Sequence, residues 1–470
     1  MTKKTLFDKL WNSHTVSDLG GGVALLYIDR IFLHERTGSI SLIGLKDRGR
    51  KVAKPEKVFC TMDHIVDTVP GRTDDTTMQG GREFIELTRM ATKKEGIRLF
   101  DIGDQAQGIV HVISPEQGII LPGLTLVCPD SHTCTQGAFG ALAWGIGSTE
   151  AEQALATDVL RVKKPRTMLV RFEGELSVGV TAKDMMLHLI SKYSASGAVG
   201  YAVEFAGSAV SPLSMESRMT LCNMAVEFGA FTGMISVDQK TVDFIEGRPF
   251  APKGDLWDQA KKNWQDLKSD YGAKFDNEIV IDASKISTTV SWGTSPGQSI
   301  SLNEIIPSPK SFKDQNKKIA AENAQKYMAV KPETWLHELT IDAAFIGSCT
   351  NSRLTDLRRV SYILKGRKVA QGVRAICVPG STKVKEEAEA EGLDHIFIEA
   401  GFEWRESGCS MCFFAGGESF GFQERVISST NRNFEGRQGL ETRTHIASPE
   451  TVAASAIAGY ICAAKDLENV

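Results

Sequence analysis

Three cysteines late in the 470-residue chain have the spacing of metal or redox ligands. Cys409 and Cys412 form a Cys-x-x-Cys pair in "ESGCSMC" (406–412), and Cys349 stands in "GSCTNSR" (347–353). Such a pair can be a redox dithiol, half of a zinc site or part of an iron–sulfur cluster. A late position in a long chain disfavours the redox dithiol, and the lack of a second pair in the sequence disfavours zinc.

Cys349 supplies the third thiol that an iron–sulfur site would need. It stands where an apolar strand gives way to a helix, a position whose free N–H groups favour a thiolate. The plainer interpretation of Cys349 is a buried core cysteine at a strand end. With Cys409 and Cys412 it can instead hold three irons of a [4Fe–4S] cluster, so that the fourth iron is open to substrate oxygens.

Several histidines stand beside carboxylates. Asp63 precedes His64 in "TMDHIVD" (61–67), and Asp130 lies two residues before His132 in "CPDSHTC" (128–134). A lone histidine in an apolar stretch is more often a satisfied core residue, but imidazole–carboxylate pairs can fix a protonation state for acid–base chemistry. The further candidates are His111, in an apolar and strand-like segment, Asn223 and Glu227.

Two arginines, Arg432 and Arg437, lie in the glycine- and asparagine-rich stretch "STNRNFEGRQG" (429–439). Surface arginines are common, yet guanidinium groups are natural partners of substrate carboxylates. A Lewis acid, proton donors and carboxylate binders together suit the dehydration and rehydration of a hydroxy acid. Hydroxide is a poor leaving group, so this reaction needs a Lewis acid and a proton.

Composition indicates a soluble multidomain protein. Hydrophobic residues make up 42% and charged residues 24%, and the formal net charge of −4 gives no basic footprint for nucleic acid. The sequence shows neither an apolar run of membrane-spanning length nor a signal-peptide pattern at its start, so we expect a cytoplasmic protein. The other cysteines are expected to be buried and reduced; they are Cys60, Cys128, Cys134, Cys222, Cys377 and Cys462.

Short apolar runs alternate with helical patterns, which is typical of an α/β fold. Buried strands are predicted at 125–130, 167–176, 343–348 and 373–380. A helix is predicted over 352–366, capped by Asn351 or Ser352 and ended by Gly366. The polar segment 307–331 resembles an interdomain connection, and a weaker boundary is expected near Pro165.

Taken together, the motifs resemble the large subunits of 3-isopropylmalate dehydratase, a family of the aconitase superfamily. The resemblance covers essentially the whole chain, from "TMDHIVDT" (61–68) and "DSHT" (130–133) through "GVTAKD" (179–184) and "WGTSPGQ" (292–298). Its most specific parts are "GSCTNSR", "GCSMC" and "NRNFEGRQG".

This resemblance implies a role for each candidate. Cys349, Cys409 and Cys412 would ligate one [4Fe–4S] cluster, with one iron lacking a protein thiolate. The catalytic acid–histidine pairs would be Asp63–His64, His111–Asp130 and His132–Glu227. The substrate, a small dicarboxylic acid, would contact Ser131, Arg432 and Arg437. The cluster environment would include Asn223, Asn351 and Asn431.

The implied fold is a three-domain α/β/α architecture around a central cluster, with domains at 1–166, 167–300 and 301–470, the last carrying the cysteines. Single-chain relatives carry a further mobile domain with a serine base, and the sequence shows no Gly-Ser-Ser-Arg-like segment of that kind. The resemblance therefore implies a separate small subunit, in a heterodimer or heterotetramer.

The implied reaction is the conversion of 2-isopropylmalate into 3-isopropylmalate through 2-isopropylmaleate, in leucine biosynthesis. The chain departs from the family pattern at "TGSISLIGL" (37–45), at Pro129, at 69–75 and at 412–423. The first departure lies near the substrate in relatives, so hydration of citraconate, maleate or dimethylmaleate is the alternative. An iron-sensing RNA binder, the alternative of another class, would show basic faces that this composition does not have.

Overall fold

The chain alternates short strands with helices in the computed structural model, which describes residues 3–469. The helices are α1 Leu6–His14, α2 Glu35–Asp47, α3 Gly81–Glu95, α4 Val110–Glu116, α5 Ser148–Thr157, α6 Ala182–Tyr193, α7 Met215–Asn223, α8 Gln239–Ile245, α9 Asp255–Trp264, α10 Gln315–Met328, α11 Leu354–Leu364, α12 Thr382–Ala390, α13 Leu393–Ala400 and α14 Pro449–Ala458. Short 3-10 helices include Ser131–Phe139 and Ser410–Cys412.

The strands are short and most belong to parallel sheets. They are β1 Thr15–Gly20, β2 Val23–Tyr27, β3 Arg30–His34, β4 Val58–Thr61, β5 Arg98–Phe100, β6 Thr125–Cys128, β7 Leu142–Gly145, β8 Val159–Lys163, β9 Arg166–Glu173, β10 Tyr201–Ala206, β11 Thr232–Met234, β12 Asn277–Asp282, β13 Thr289–Ser291, β14 Ser299–Ser301, β15 Ala343–Ile346, β16 Arg374–Cys377, β17 Phe402–Trp404, β18 Arg425–Ser428 and β19 Arg443–Ile446.

The described residues form two compact units, each assembled from separate stretches of chain. The first unit runs up to Ile65 and adds Gly80–Glu175 and Ala198–Ala283. The second takes Val66–Gln79, Leu176–Gly197 and the chain from Ser284 onward. The three-domain division at 166 and 300 stays a prediction.

In the first unit, the sheet that carries the histidines is parallel, with strand order β5-β4-β3-β6-β7. Its central strands are buried on both faces, as expected for a sheet covered by helices on both sides. The strand order reverses between β3 and β6. In an open parallel sheet such a reversal opens a crevice at the carboxyl ends of the strands, where ligands bind. The unit also contains the parallel sheet β11-β10-β9-β12 and the antiparallel sheet β1-β2-β8.

In the second unit, a five-stranded parallel sheet repeats this arrangement, with strand order β17-β16-β15-β18-β19. The order reverses between β15 and β18. The loop after β15 contains Cys349, and the loop after β18 contains Asn431. The same rule of sheet topology therefore predicts a binding crevice beside these two residues.

The four predicted strands are confirmed, within a few residues at each end, as β6, β9, β15 and β16. The predicted helix at 352–366 is α11, but its predicted cap is wrong. Arg353 is the N-cap, and its N–H donates to the carboxylate of Asp356, 3.2 Å away. The Asn351 amide instead donates to Asp356 from outside the helix, at 3.3 Å.

The polar segment 307–331 does not connect the two units. It lies inside the second unit and includes α10, whose start is capped by Asp314 through the N–H groups of Asn316 and Lys317. Its polarity reflects a helix with one narrow buried face rather than a linker. All nine cysteines are buried, and none forms a disulfide within residues 3–469, as expected for the six that were predicted to be core residues. Among residues 3–469, no helix is both long and apolar enough to cross a membrane.

Candidate active site in two parts

The first part of the candidate site is a cluster of histidines and carboxylates in the first unit. It gathers where β3, β4 and β6 end, since His34 is the last residue of β3, Asp63 and His64 follow β4, and Asp130 follows β6. Adjacent parallel strands end at the same edge of a sheet, so these side chains lie close together. We call this group the histidine cluster; its members are His34, Glu35, Asp63, His64, His111, Asp130, His132 and Glu227.

His64 lies between two carboxylates. Its Nδ1 is 2.6 Å from Asp63 Oδ1, and its Nε2 is 3.3 Å from Asp130 Oδ2. An ionised carboxylate only accepts hydrogen bonds, so two such neighbours favour the protonated form of the ring. This arrangement makes His64 a candidate proton donor.

Both carboxylates beside His64 are held ionised. Burial, the largest single effect, favours the neutral form of Asp63, but His64, together with His34 and the Val110 N–H, keeps the pKa of Asp63 below its usual value. Burial would likewise raise the pKa of Asp130, yet the neighbouring His111 and hydrogen bonds from His132 and His64 hold it well below the usual range. The cluster therefore pairs fixed negative charges with its imidazoles.

His111 also binds Asp130, although its local structure was predicted incorrectly. The segment around it is helix α4 rather than a strand, because a short helix buried on all sides shows the same apolar run as a buried strand. The His111 Nε2 lies 2.9 Å from Asp130 Oδ1. Its Nδ1 is buried and has no hydrogen-bond partner among the described residues, so this nitrogen is available to a ligand.

The third predicted pair is also hydrogen-bonded. His132 Nε2 lies 2.9 Å from Glu227 Oε1, and the backbone N–H of His132 donates to Asp130 Oδ1 at 2.7 Å. Asp130 thereby caps the 3-10 helix Ser131–Phe139 and fixes the start of the His132 segment. Ser131, the predicted substrate contact, is exposed at the first position of that helix. The Asn223 amide donates to Thr135 Oγ1, 2.9 Å away.

Two members of the cluster, His34 and Glu35, were not singled out from the sequence. Glu35 is fully buried and accepts the backbone N–H groups of Asp63, His64 and Ile65. His34 stacks on His64 with ring centroids 3.9 Å apart. His34 ends the buried strand β3 and Glu35 follows it directly, and this position at a strand end was the signal that could have found them.

The protonation of these two residues follows from their surroundings. Burial, reinforced by the charge of His64, lowers the pKa of His34 to about 4, so His34 is neutral near pH 7. Burial and the Asp63 charge raise the pKa of Glu35. The ligand atoms of His34, Glu35, Asp63 and His64 lie within 4.8 Å of one another. Asp63 pairs with His64, Glu35 accepts backbone N–H groups, and His34 bonds to Thr37 and the Pro129 carbonyl, so these groups serve a hydrogen-bond network.

The second part of the candidate site lies in the second unit and contains the three predicted cluster cysteines. Cys412 Sγ is 3.2 Å from Ser348 Oγ and 3.2 Å from Thr430 Oγ1, and Ser348 Oγ is 4.0 Å from Cys349 Sγ. Cys349 and Cys412 therefore share the Ser348 hydroxyl although they are distant in sequence. The Cys412 N–H donates to the Cys409 carbonyl at 3.0 Å, which closes a tight turn between these two cysteines.

Two polar side chains donate toward the sulfur atoms. Asn431 Nδ2 lies 3.6 Å from Cys349 Sγ, and an Arg437 nitrogen lies 3.7 Å from Cys412 Sγ. N–H groups aimed at sulfur stabilise thiolates, which are the form that binds metal. Three buried thiol groups, two of them with such donors, fit an iron–sulfur cluster, because thiolates are soft ligands that select zinc, copper(I) or iron–sulfur centres.

Arg437 is held by two aromatic rings. Its guanidinium carbon lies 4.6 Å from the centroid of Phe413 and 5.2 Å from that of Phe434. Its Nε is buried and has no hydrogen-bond partner among the described residues. The rings fix the plane of the guanidinium, so Arg437 is oriented before any carboxylate arrives. Arg432, the other predicted arginine, is half-buried and follows Asn431.

Asn351, predicted beside the cluster, belongs to a buried polar network under the cysteines. Its Oδ1 accepts a hydrogen bond from Lys183 Nζ at 3.2 Å. Lys183 is fully buried and also donates to the carbonyl oxygens of Ser429 and Thr430, at 2.6 and 2.7 Å. This lysine cross-links the loops after β15 and β18, and it explains the polar residue inside the predicted "GVTAKD" motif.

Comparison with known proteins agrees with this arrangement. Residues 8–459 match the model of the aconitase family (aconitate hydratase). The chain is 48% identical over 466 residues to 3-isopropylmalate dehydratase large subunit 1 of Bradyrhizobium diazoefficiens, covering 99% of this chain and 97% of the relative. The crystal structure of Thermococcus kodakaraensis aconitase X (holo-form) aligns with 89% of this chain and 88% of its own, at 14% identity and a TM-score of 0.46. The family model that matches residues 8–459 and the relative that is 48% identical over nearly the full length show that this chain belongs to the aconitase family.

Proposed function

We propose that this chain is the large subunit of a hydro-lyase that converts 2-isopropylmalate into 3-isopropylmalate through 2-isopropylmaleate. The observation that carries the proposal is the near-full-length similarity to a 3-isopropylmalate dehydratase large subunit. The three hydrogen-bonded acid–histidine pairs support it, because dehydration of a hydroxy acid needs positioned proton carriers.

The cofactor of this proposal is one [4Fe–4S] cluster held by Cys349, Cys409 and Cys412. When bound, such a cluster supplies a Lewis-acidic iron without a protein thiolate, which binds hydroxyl and carboxylate oxygens of a substrate. Burial of the three thiols and the N–H donors of Asn431 and Arg437 support this assignment.

The chain's own residues have three tasks in the reaction. His64 donates the proton that lets the hydroxyl group leave as water, since both of its ring nitrogens face carboxylates that keep it protonated. Asp63 and Asp130 hold that ring in place. Arg437, oriented by its two aromatic neighbours, binds a substrate carboxylate, and Arg432 is the second candidate for this task.

We further propose that a small subunit completes the enzyme. The relative is named a large subunit, which implies a partner for that protein. For this chain, the small subunit would supply the serine base that the resemblance assigns to the mobile domain. The location in the cytoplasm remains a prediction from the sequence.

For the alkyl group of the substrate there is a second candidate. The first turns of α2, which begin next to His34, read "GSISL" (38–42), where the family resemblance implies a run that contains Gln and Phe. Thr37 Oγ1 lies 3.0 Å from His34 Nε2, so this helix adjoins the histidine cluster. A change of one methylene in a pocket alters discrimination by about 1–3 kcal/mol. Citraconate or another small maleate derivative is therefore the second candidate.

The test is the ratio of kcat/KM for 3-isopropylmalate to that for (R)-2-methylmalate, measured anaerobically with the cognate small subunit. We expect a ratio well above one. A ratio well below one would reject isopropylmalate as the substrate and favour the small maleate derivatives. Activity on neither compound, in a preparation that contains the full cluster, would contradict the whole proposal.

A further inference from the structure

The loop between Cys409 and Cys412 begins with a residue in a strained conformation. Ser410 has φ +47°, in the left-handed region, and it is buried. A residue with a Cβ is strained in this conformation, whereas glycine adopts it freely. The turn that presents the two cysteines therefore needs a contact that holds Ser410 in place.

The contact is a buried triangle of two hydroxyls and a carboxylate. Ser410 Oγ lies 2.8 Å from Glu418 Oε2, and Thr68 Oγ1 lies 2.6 Å from the same oxygen. The two hydroxyls are 2.9 Å apart. Since the carboxylate can only accept, each hydroxyl has a proton to donate toward it, and hydrogen bonds to a charged acceptor are stronger than those between neutral groups.

Glu418 is itself fixed from its other side. Its Oε1 accepts a hydrogen bond from Arg405 at 2.7 Å, and both side chains of this ion pair are less than a tenth exposed. Thr68 is anchored as well, because its carbonyl accepts the N–H of Glu406 at 2.7 Å. A Cβ at Gly417 would lie 2.5 Å from the Met78 nitrogen, so the loop packs tightly against the Val66–Gln79 segment. The carboxylate cannot move without breaking a buried pair.

We propose that Glu418 is a positioning residue for the cluster cysteines. It holds Ser410 in the left-handed conformation, and that conformation sets the direction of the Cys409–Cys412 turn. The expected effect on iron retention rests on the proposed cluster. The expected effect on the conformation of the loop does not, because it can be measured in the metal-free chain. A residue that only stabilised the unit would not act through the conformation of Ser410.

Substitution of Ser410 by glycine separates these two roles. Glycine needs no restraint at φ +47°, so in S410G the carboxylate should no longer matter to the turn. The variants are therefore E418Q, S410G and the double variant E418Q/S410G in the full chain. The matched control is E450Q, which changes another buried carboxylate of the same unit that pairs with an arginine, Arg359.

Each protein is loaded anaerobically with ferrous iron and sulfide, and the rate of iron loss to a chelator is measured. We expect E418Q to lose iron about tenfold faster than the parent chain. A factor of ten corresponds to about 1.4 kcal/mol, which lies within the strain energy of a serine in the left-handed conformation. The double variant and E450Q should lose iron at close to the parent rate. Equal rates for E418Q and the parent, for E418Q and E450Q, or for E418Q and the double variant would overturn the proposal.

A second measurement uses the metal-free chain. The rate at which iodoacetamide alkylates Cys409 and Cys412 is followed by mass spectrometry. We expect the alkylation rate to rise about tenfold in E418Q, which again corresponds to about 1.4 kcal/mol. In the double variant the rate should return to the parent value. If the parent chain takes up no iron, the proposed cofactor fails, and the alkylation rates alone decide the role of Glu418. Unchanged alkylation in E418Q would reject it.

Discussion

At the scale of residues, the histidine cluster is organised around Asp130. Its Oδ1 binds the His111 ring and the His132 backbone N–H, and its Oδ2 faces His64. One ionised carboxylate therefore orients three histidine segments at once. Because the Asp130 carboxylate contacts all three segments, the short "DSHT" motif can position histidines that lie far apart in the sequence.

Replacement of Asp63 by asparagine tests the role of His64. The amide keeps the shape of the carboxylate but removes the charge that holds the ring protonated, so kcat should fall by about 10²–10⁴, the usual contribution of general acid–base catalysis. The matched control is His14→Asn, which breaks another histidine–aspartate pair of the first unit, 2.8 Å from Asp29. Activity of D63N within about twofold of the H14N control, far below the range for such catalysis, would contradict the assignment.

The residues of the site differ in how far the sequence revealed them. Asp63 and His64 are neighbours in sequence, so a local pattern pointed to them. The pairing of His132 with Glu227 joins residues 95 positions apart and was inferred only from the family resemblance. Glu418 and Thr68 are separated by 350 positions, and no sequence pattern links the two, because long-range pairing leaves no local signal.

At the scale of elements, buried parallel strands were predictable and short buried helices were not. The strands β6, β15 and β16 are continuous apolar runs bounded by turn residues. Helix α4 is also an apolar run. Because it is buried on all sides, its sequence lacks the periodic alternation of apolar and polar residues that identifies a helix. The Val66–Gln79 segment belongs to the second unit. This assignment depends on tertiary packing, so the local sequence could not predict it.

Strand β19 carries a histidine that makes the second unit sensitive to acid. Burial, and then the charge of Arg425, lowers the pKa of His445 to about 3 from 6.5 in the unfolded chain. The Arg425 guanidinium donates to its Nε2, and its Nδ1 donates to the Ser291 carbonyl, so the folded unit holds the neutral ring. Between these two pKa values the unfolded chain binds a proton that the folded chain does not, and stability falls as the pH falls.

We therefore expect His445→Asn to flatten the pH dependence of stability. Below about pH 6 the free energy of unfolding of the parent chain should fall by up to about 1.4 kcal/mol per pH unit more than that of H445N. Urea unfolding at a series of pH values measures this difference in slope. The control is His395→Asn on the exposed surface of α13, which should keep the parent slope. An identical slope in H445N would show that the buried ring does not contribute.

At the scale of the whole molecule, each of the two units contains a parallel sheet with the same reversal of strand order, and each sheet has its own group of candidate residues. In the first unit the reversal lies between β3 and β6, and in the second between β15 and β18. The candidate residues Asp63 and Asp130 follow the carboxyl ends of β4 and β6, and Cys349 follows that of β15, where parallel sheets generally bind ligands. The same reversal of strand order thus positions the histidine cluster in one unit and Cys349 in the other.

The subunit proposal predicts that the purified chain alone turns over at a small fraction of the rate of the complex. A missing base should reduce kcat by about 10²–10⁴. Anaerobic assays with and without the co-expressed small subunit, each at the same iron content, measure this ratio. Full turnover by the isolated chain, shown by mass spectrometry to be free of a partner, would refute the subunit proposal.

The central claim is that Cys349, Cys409 and Cys412 hold an iron–sulfur cluster, and metal analysis of the anaerobically purified chain tests it most directly. We expect about four irons per chain, the content of one [4Fe–4S] cluster, and loss of the iron in C349S, C409S and C412S. The matched control is C462S, which changes a buried cysteine outside the site and should keep the full iron content. One zinc per chain without iron, or equal iron in C349S and C462S, would contradict the claim.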